Sequence, residues 1–325
     1  MVDNSSVIGS RIAFVDAAKA ICIFLMVVGH WTRNELLLIY IYSFHMPAFF
    51  TISGFLYKPH HWIKTILSFG IPILFYSSVN FAILIITDQL LWENLNFKYI
   101  VDCFLCYRYG LGSMCLFVGL WFLWALLGLK LLFGDIKFLG KIRKCYIPLS
   151  ALVISYVSLE NLFIDTNTLF RGWFIGCKTI QSLPFFCLGL YLREKKWLPQ
   201  MVPLPIIMSL LLFSISIPIV NGRCGILETA YGVSFFLFSF NAMASTILLF
   251  FLVNYIPANQ VCVTISKGTL FILGIHMPLI NFIEYIDVIP EILNFIIPFL
   301  VILICYYPIM WLDCYCPILL GKMKK

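Results

Sequence analysis

The sequence predicts an all-α fold, a polytopic transmembrane helical bundle of ten spans with both termini cytoplasmic. Three observations predict it. Of 325 residues, 62% are hydrophobic and only 11% charged, with a mean hydropathy of +0.98; a soluble domain carries about 25% charged residues. Apolar runs recur at the length of about 20 residues that crosses hydrocarbon. Basic residues concentrate in alternate loops, as orientation across a membrane requires. Residues 1–325 therefore read as one integral-membrane domain, since no hydrophilic stretch is long enough to fold separately.

The spans fall near 12–31, 36–57, 65–87, 111–133, 146–164, 173–192, 201–220, 232–254, 268–286 and 292–313. The first carries Asp16 and Lys19 within its apolar run and no small-residue cleavage site follows, which favours a retained span over a signal peptide. The sixth is interrupted by Lys178 and Pro184, and residues 97–110 suit an interfacial piece. An even span count gathers the basic clusters at 137–144 and 193–196, with Lys322, Lys324 and Lys325, on the inner side. The outer side takes only Arg33, Lys98, Arg108, Arg171, Lys178 and Arg223. The net charge of +7 is thus spent on short loops, so nucleic acid is not an expected partner and membrane lipids are. Twelve cysteines are scattered, and neither Cys103-x-x-Cys106 nor Cys314-x-Cys316 has histidines at ligand spacing, so no metal is expected. No internal repeat is evident, which counts against transporters built from inverted halves.

Ionisable residues at membrane depth are expensive and usually functional. In the first span Lys19 and His30 are eleven residues apart, about three turns, which sets them on one face at depths about 16 Å apart. Asp16 lies on a neighbouring part of that face. His45 falls in the second span at about 14 Å depth on a regular helix. There Pro47 frees a carbonyl, and Ser53-Gly54 allows close backbone approach. His276 repeats the His-Met-Pro pattern in the ninth span, which points to a shared polar cavity. His60 and His61 suit the headgroup layer, whereas Arg171, Arg223, Glu228 and Tyr231 lie in outer loops within reach of an extracytoplasmic substrate.

Lys19, ten residues, then His30, preceded by Asp16, resembles the opening of the acyltransferase-3 family of membrane acyltransferases. That family often has arginine where this chain has Lys19; lysine is similar to its branch of fucose 4-O-acetylases. FHMPAFFTISGFLYK (44–58) resembles a signature of that branch, and SLPFFCLGLYL (182–192) and ISKGTLFILGIHMPLI (265–280) resemble later blocks in the same order. The resemblance implies a cell (inner) membrane enzyme that moves an acetyl group from acetyl-CoA to a sugar hydroxyl of a surface polysaccharide or its lipid-linked precursor.

That chemistry needs a base for the hydroxyl and charge stabilisation at the thioester oxygen. His30 is the expected base, and His45 either orients the acceptor or is itself the base. Asp16 and Lys19 are expected on the donor side, where a lysine offers a point charge rather than a two-pronged fork. Ser53 and His276 are expected to line the substrate cavity. The rival reading is a transporter or flippase of lipid-linked glycan, with the same residues forming a translocation path.

Overall fold

The computed structural model describes residues 12–86, 97–105, 117, 119–134, 149–154, 156, 171–228, 230–257, 259–285 and 295–323. Helix α1 (Ala13–Trp31) is apolar throughout apart from Asp16, Lys19 and His30, and its buried positions include Phe14, Ile23, Met26 and Val27. After Thr32, the side chain of Asn34 accepts from Leu37 N at 3.0 Å and starts α2 (Glu35–Tyr42). Helix α3 (His45–Phe55) follows a local break at Ser43–Phe44, and α2 and α3 together make one 21-residue span, Glu35–Phe55, that matches the second expected span. Proline supplies the reason for the break. Pro47 has no N–H for the Ser43 carbonyl and its ring crowds that turn. The Ser43 hydroxyl donates to Tyr40 O at 2.7 Å, and the His45 ring takes Ile41 O at 2.7 Å. The break is thereby sealed by its own side chains.

Helix α4 (Trp62–Ile86) follows, then α5 (Phe97–Phe104) and the short apolar α6 (Trp121–Leu132). Helix α7 (Arg171–Glu194) runs unbroken through Lys178 and Pro184, where the sequence suggested an interruption. Helix α8 (Leu204–Asn221) buries only Ile207, Pro218 and Asn221, which leaves an apolar flank suited to lipid. Two-residue strands β1 (Cys224–Gly225) and β2 (Ala230–Tyr231) pair antiparallel, with Cys224 opposite Tyr231. Helices α9 (Phe235–Val253), α10 (Gln260–Lys267), α11 (Thr269–Tyr285) and α12 (Ile297–Tyr315) complete the bundle. The ninth expected span, 268–286, is α11, and α10, which precedes it, meets it at 80° around Gly268.

Among the described residues, seven helices are long and apolar enough to cross a membrane, or eight if the bent pair is one span. They correspond to the expected spans except the fourth and fifth. The fourth is described only as the α6 segment, and most of 146–164 lies outside the described residues. The tightest seam joins α3 to α7. A Cβ on Gly54 would lie 2.0 Å from Phe186 O, and one on Gly189 would lie 2.0 Å from Thr51 O, so the two backbones touch.

Candidate active site

Two cavities open at opposite ends of α1, and α3 runs between them; they are named outer and inner after the orientation expected from the loop charges. The outer one, about 280 Å³, is lined by His30, Tyr42, His45, Trp121, Arg223 and Glu228 among others. His30 comes from the last turn of α1, and its ring centroid is 6.3 Å from that of Tyr42. Tyr42 in turn lies 5.2 Å from His45 and donates its hydroxyl to Gly29 O at 3.2 Å, tying α2 to α1. His45 is buried, with Nδ1 2.7 Å from Ile41 O. A carbonyl only accepts, so Nδ1 carries the hydrogen and Nε2 is left as a lone pair.

His276 obeys the same rule. Its Nδ1 donates to Ile272 O at 2.9 Å and Leu273 O at 3.1 Å, and its Nε2 has no hydrogen-bond partner. Its ring centroid is 5.1 Å from that of His30. It does not line the outer cavity as the sequence reading expected; it is fully buried behind His30. Gly119 makes room for it, since a Cβ there would come within 2.9 Å of His276 Cε1 and 2.3 Å of Leu273 O.

The β1–β2 hairpin roofs this cavity. Asn221 holds its base, donating from Nδ2 to Tyr231 O at 2.8 Å and accepting from Ser234 N at 3.0 Å. Buried Lys178 donates from Nζ to Ile226 O at 2.6 Å. Arg223 pairs with Glu35 at 3.4 Å on the surface. Of the outer-loop residues singled out above, Arg223 and Glu228 thus reach the cavity, whereas Tyr231 packs against Phe235 and Phe238. The Arg171 side chain lies outside the described residues.

The inner cavity is larger, about 560 Å³, and basic: Lys19, Lys64, Lys130, Lys267 and Lys322 line it together with Ser53. Asp313 holds two of these lysines, accepting from Lys267 Nζ at 2.6 Å and also from Lys322 Nζ. Asp16 is not in this wall. It is buried, and accepts the Ser266 hydroxyl at 2.5 Å, which fixes α10 against α1. His60, expected at headgroup level, is exposed and lines this cavity.

A thin wall separates the cavities. Met46 faces the outer one and Phe49 the inner; Leu273 and Leu270 divide likewise, as do Trp121 and Phe122. The three-residue spacings on α3 and α11 amount to about one helical turn, about 5 Å. Phe49 and Phe122 pack at 5.6 Å within that wall. Lys19 and His30, expected on one polar face, therefore serve different chambers.

An acyltransferase domain model, that of the acyltransferase-3 family, matches residues 12–312. The chain belongs to the acyltransferase-3 family. It is a multi-pass membrane acyltransferase, and both chambers lie within the matched region apart from the tail residues Lys322 and its neighbours. No curated protein and no solved structure gives a significant match. Among the described residues no group of three or more His, Cys, Asp or Glu side chains is placed to hold a metal ion.

Sequence reasoning missed Tyr42, Lys64, Lys130, Lys267 and Lys322. Lys130 had a signal, being an ionisable residue inside an apolar run. Tyr42 had none, since an aromatic in a greasy helix reads as packing.

Proposed function

We propose that this protein of the cell membrane is an O-acetyltransferase that takes acetyl-CoA in the inner cavity and acetylates a sugar hydroxyl in the outer one. The observation that carries the reading is the pair of chambers: one basic, one built on histidines, divided by about one helical turn. Coenzyme A bears several phosphates, and the ammonium groups of Lys64, Lys130 and Lys322 suit them. Its acyl arm is then directed along α3 past Ser53 and Phe49, toward Lys19 and the wall. The outer volume of about 280 Å³ is at the small end of ligand cavities, which run from about 300 to 1,000 Å³. It suits one sugar ring of a glycan or its lipid-linked precursor, rather than an extended chain.

For the reaction the slender thioester end of the arm passes Phe49 and Phe122 to reach His30, a passage too narrow for a glycan. A neutral imidazole, that of His30, takes the proton of the acceptor hydroxyl as its oxygen attacks the thioester carbon. The tetrahedral oxyanion collapses, the C–S bond breaks, and the thiolate leaves and is protonated. The products are the sugar acetate and free coenzyme A. His45, with its own lone pair at Nε2, orients the acceptor. The aromatic wall disfavours the flippase reading, because Phe49 and Phe122 fill the path a glycan would have to follow.

The test is label transfer. The purified chain in lipid vesicles is given radiolabelled acetyl-CoA and total cell glycan, and His30→Ala and His45→Ala are compared with it at matched folded protein. Transfer by the unaltered chain, with loss of about 10²-fold or more in His30→Ala, is the expected result. Unlabelled glycan crossing the bilayer without any acyl-CoA is the outcome that overturns it in favour of transport.

A further inference from the structure

His30 faces a problem that its place in the fold makes plain. A histidine that presents a lone pair to the cavity carries its hydrogen on the other ring nitrogen, and that N–H needs an acceptor. The Tyr42 hydroxyl donates to Gly29 O and keeps an oxygen lone pair, but its ring centroid is 6.3 Å from that of His30, farther than that of His276. His276 has the opposite deficit. Its Nδ1–H is spent on two carbonyls of its own helix, and Nε2 is a fully buried acceptor that no protein donor meets. Buried acceptors of this kind are rare, and each calls for an explanation. The two rings lie with centroids 5.1 Å apart. Two imidazoles sharing an N–H···N bond of about 2.9 Å have centroids about 5 Å apart once the ring radii are added. The interplanar angle of 47° is closed by a modest rotation of His30, the ring that is not tied to its own backbone by any bond described above.

We propose that His276 is the positioning residue for His30: its Nε2 accepts the N–H of the His30 ring and so keeps the cavity-facing nitrogen unprotonated and aimed at the acceptor. A neutral imidazole thereby fills the place that a carboxylate holds behind the base of a Ser-His-Asp triad. The arrangement avoids a second formal charge at membrane depth, where an ionised carboxylate is costly. It also accounts for Gly119, whose missing side chain lets the His276 ring seat against the backbone. The exposed carboxylate of Glu228 in the roof of the same cavity is the competing acceptor.

The inference rests on His30 being the base, so its test includes a readout independent of acyl transfer. Diethyl pyrocarbonate acylates an unprotonated imidazole nitrogen, releasing ethanol and carbon dioxide, and the rate at His30 is followed by mass spectrometry on the full chain in vesicles. His276→Met is expected to slow that rate about tenfold, the effect of one lost hydrogen bond. His276→Gln, whose amide oxygen reaches the Nε2 position, is expected to restore most of it. In the transfer assay His276→Met lowers kcat and leaves both KM values unchanged. An unchanged His30 rate in a folded His276→Met protein overturns the proposal. So does equal slowing in the Met and Gln variants, or slowing by Glu228→Gln instead. Should the unaltered chain transfer no acetyl group while the His30 rates follow the expected order, the base assignment fails and the pairing stands.

Discussion

The seam between α3 and α7 gives the sharpest quantitative prediction, because its contacts are backbone on backbone. In Gly54→Ala the new methyl meets Phe186 O at 2.0 Å against the 3.4 Å of ordinary contact, a shortfall of about 1.4 Å. A carbonyl inside a helix cannot swing aside as a side-chain tip does, so the two helices must part. Overpacking of this kind costs about 1–3 kcal/mol. Gly189→Ala meets Thr51 O at the same 2.0 Å across the same seam, and is expected to cost a similar amount. Once the first methyl has parted the helices, the second finds room. The double variant is therefore expected to lose less than the sum of the singles, by about 0.5–3 kcal/mol, the range for directly coupled residues. Thermal unfolding of the four proteins in one detergent measures the cycle. Strict additivity, or a stable Gly54→Ala, refutes the close backbone approach on which the seam depends.

Three further outcomes follow from the two chambers. Lys130→Met should raise the KM for acetyl-CoA about tenfold with the acceptor KM unchanged, since a partly desolvated contact to an anionic group is worth about 1.5–3 kcal/mol; steady-state kinetics with each substrate varied decides it. Phe49→Ala should thin the wall and give acetyl-CoA hydrolysis without acceptor, read as release of free thiol. Lys178→Met should loosen the hairpin by removing the donor to Ile226 O. The acceptor KM then rises while the donor KM holds, and an equal change in both counts against the hairpin as an acceptor roof.

Much of the architecture was legible because hydropathy and charge are one-dimensional signals. The α1 expectation put Lys19 on the donor side and His30 at the other end, and the two chambers lie at those ends. Eleven residues on a helix are far enough apart to serve different rooms, and only packing reveals the wall between them. The break in the second span was half visible. Pro47 announced a freed carbonyl, but that Ser43 and His45 would occupy the neighbouring carbonyls depended on the turn itself. His45 and His276 share a tripeptide and a tautomer, yet one lines a cavity and the other is buried against Gly119, just before α6, a neighbour that sequence does not reveal. The bend at Gly268 was placed by sequence at the start of a span, where it reads as an ordinary loop. The basic chamber as a whole was not legible, because its lysines come from α1, α4, α6, α10 and the chain's last residues, and only packing brings Lys64, Lys267 and Lys322 beside Lys19 and Lys130.

The thinness of the wall has an electrical consequence. Hydrocarbon about 30 Å thick normally spreads a membrane potential over its whole depth. When water fills chambers that open toward opposite faces, the same voltage falls across the shorter layer between them. The local field beside Phe49 and Phe122 then exceeds the average, and any charge that forms or moves there works against it.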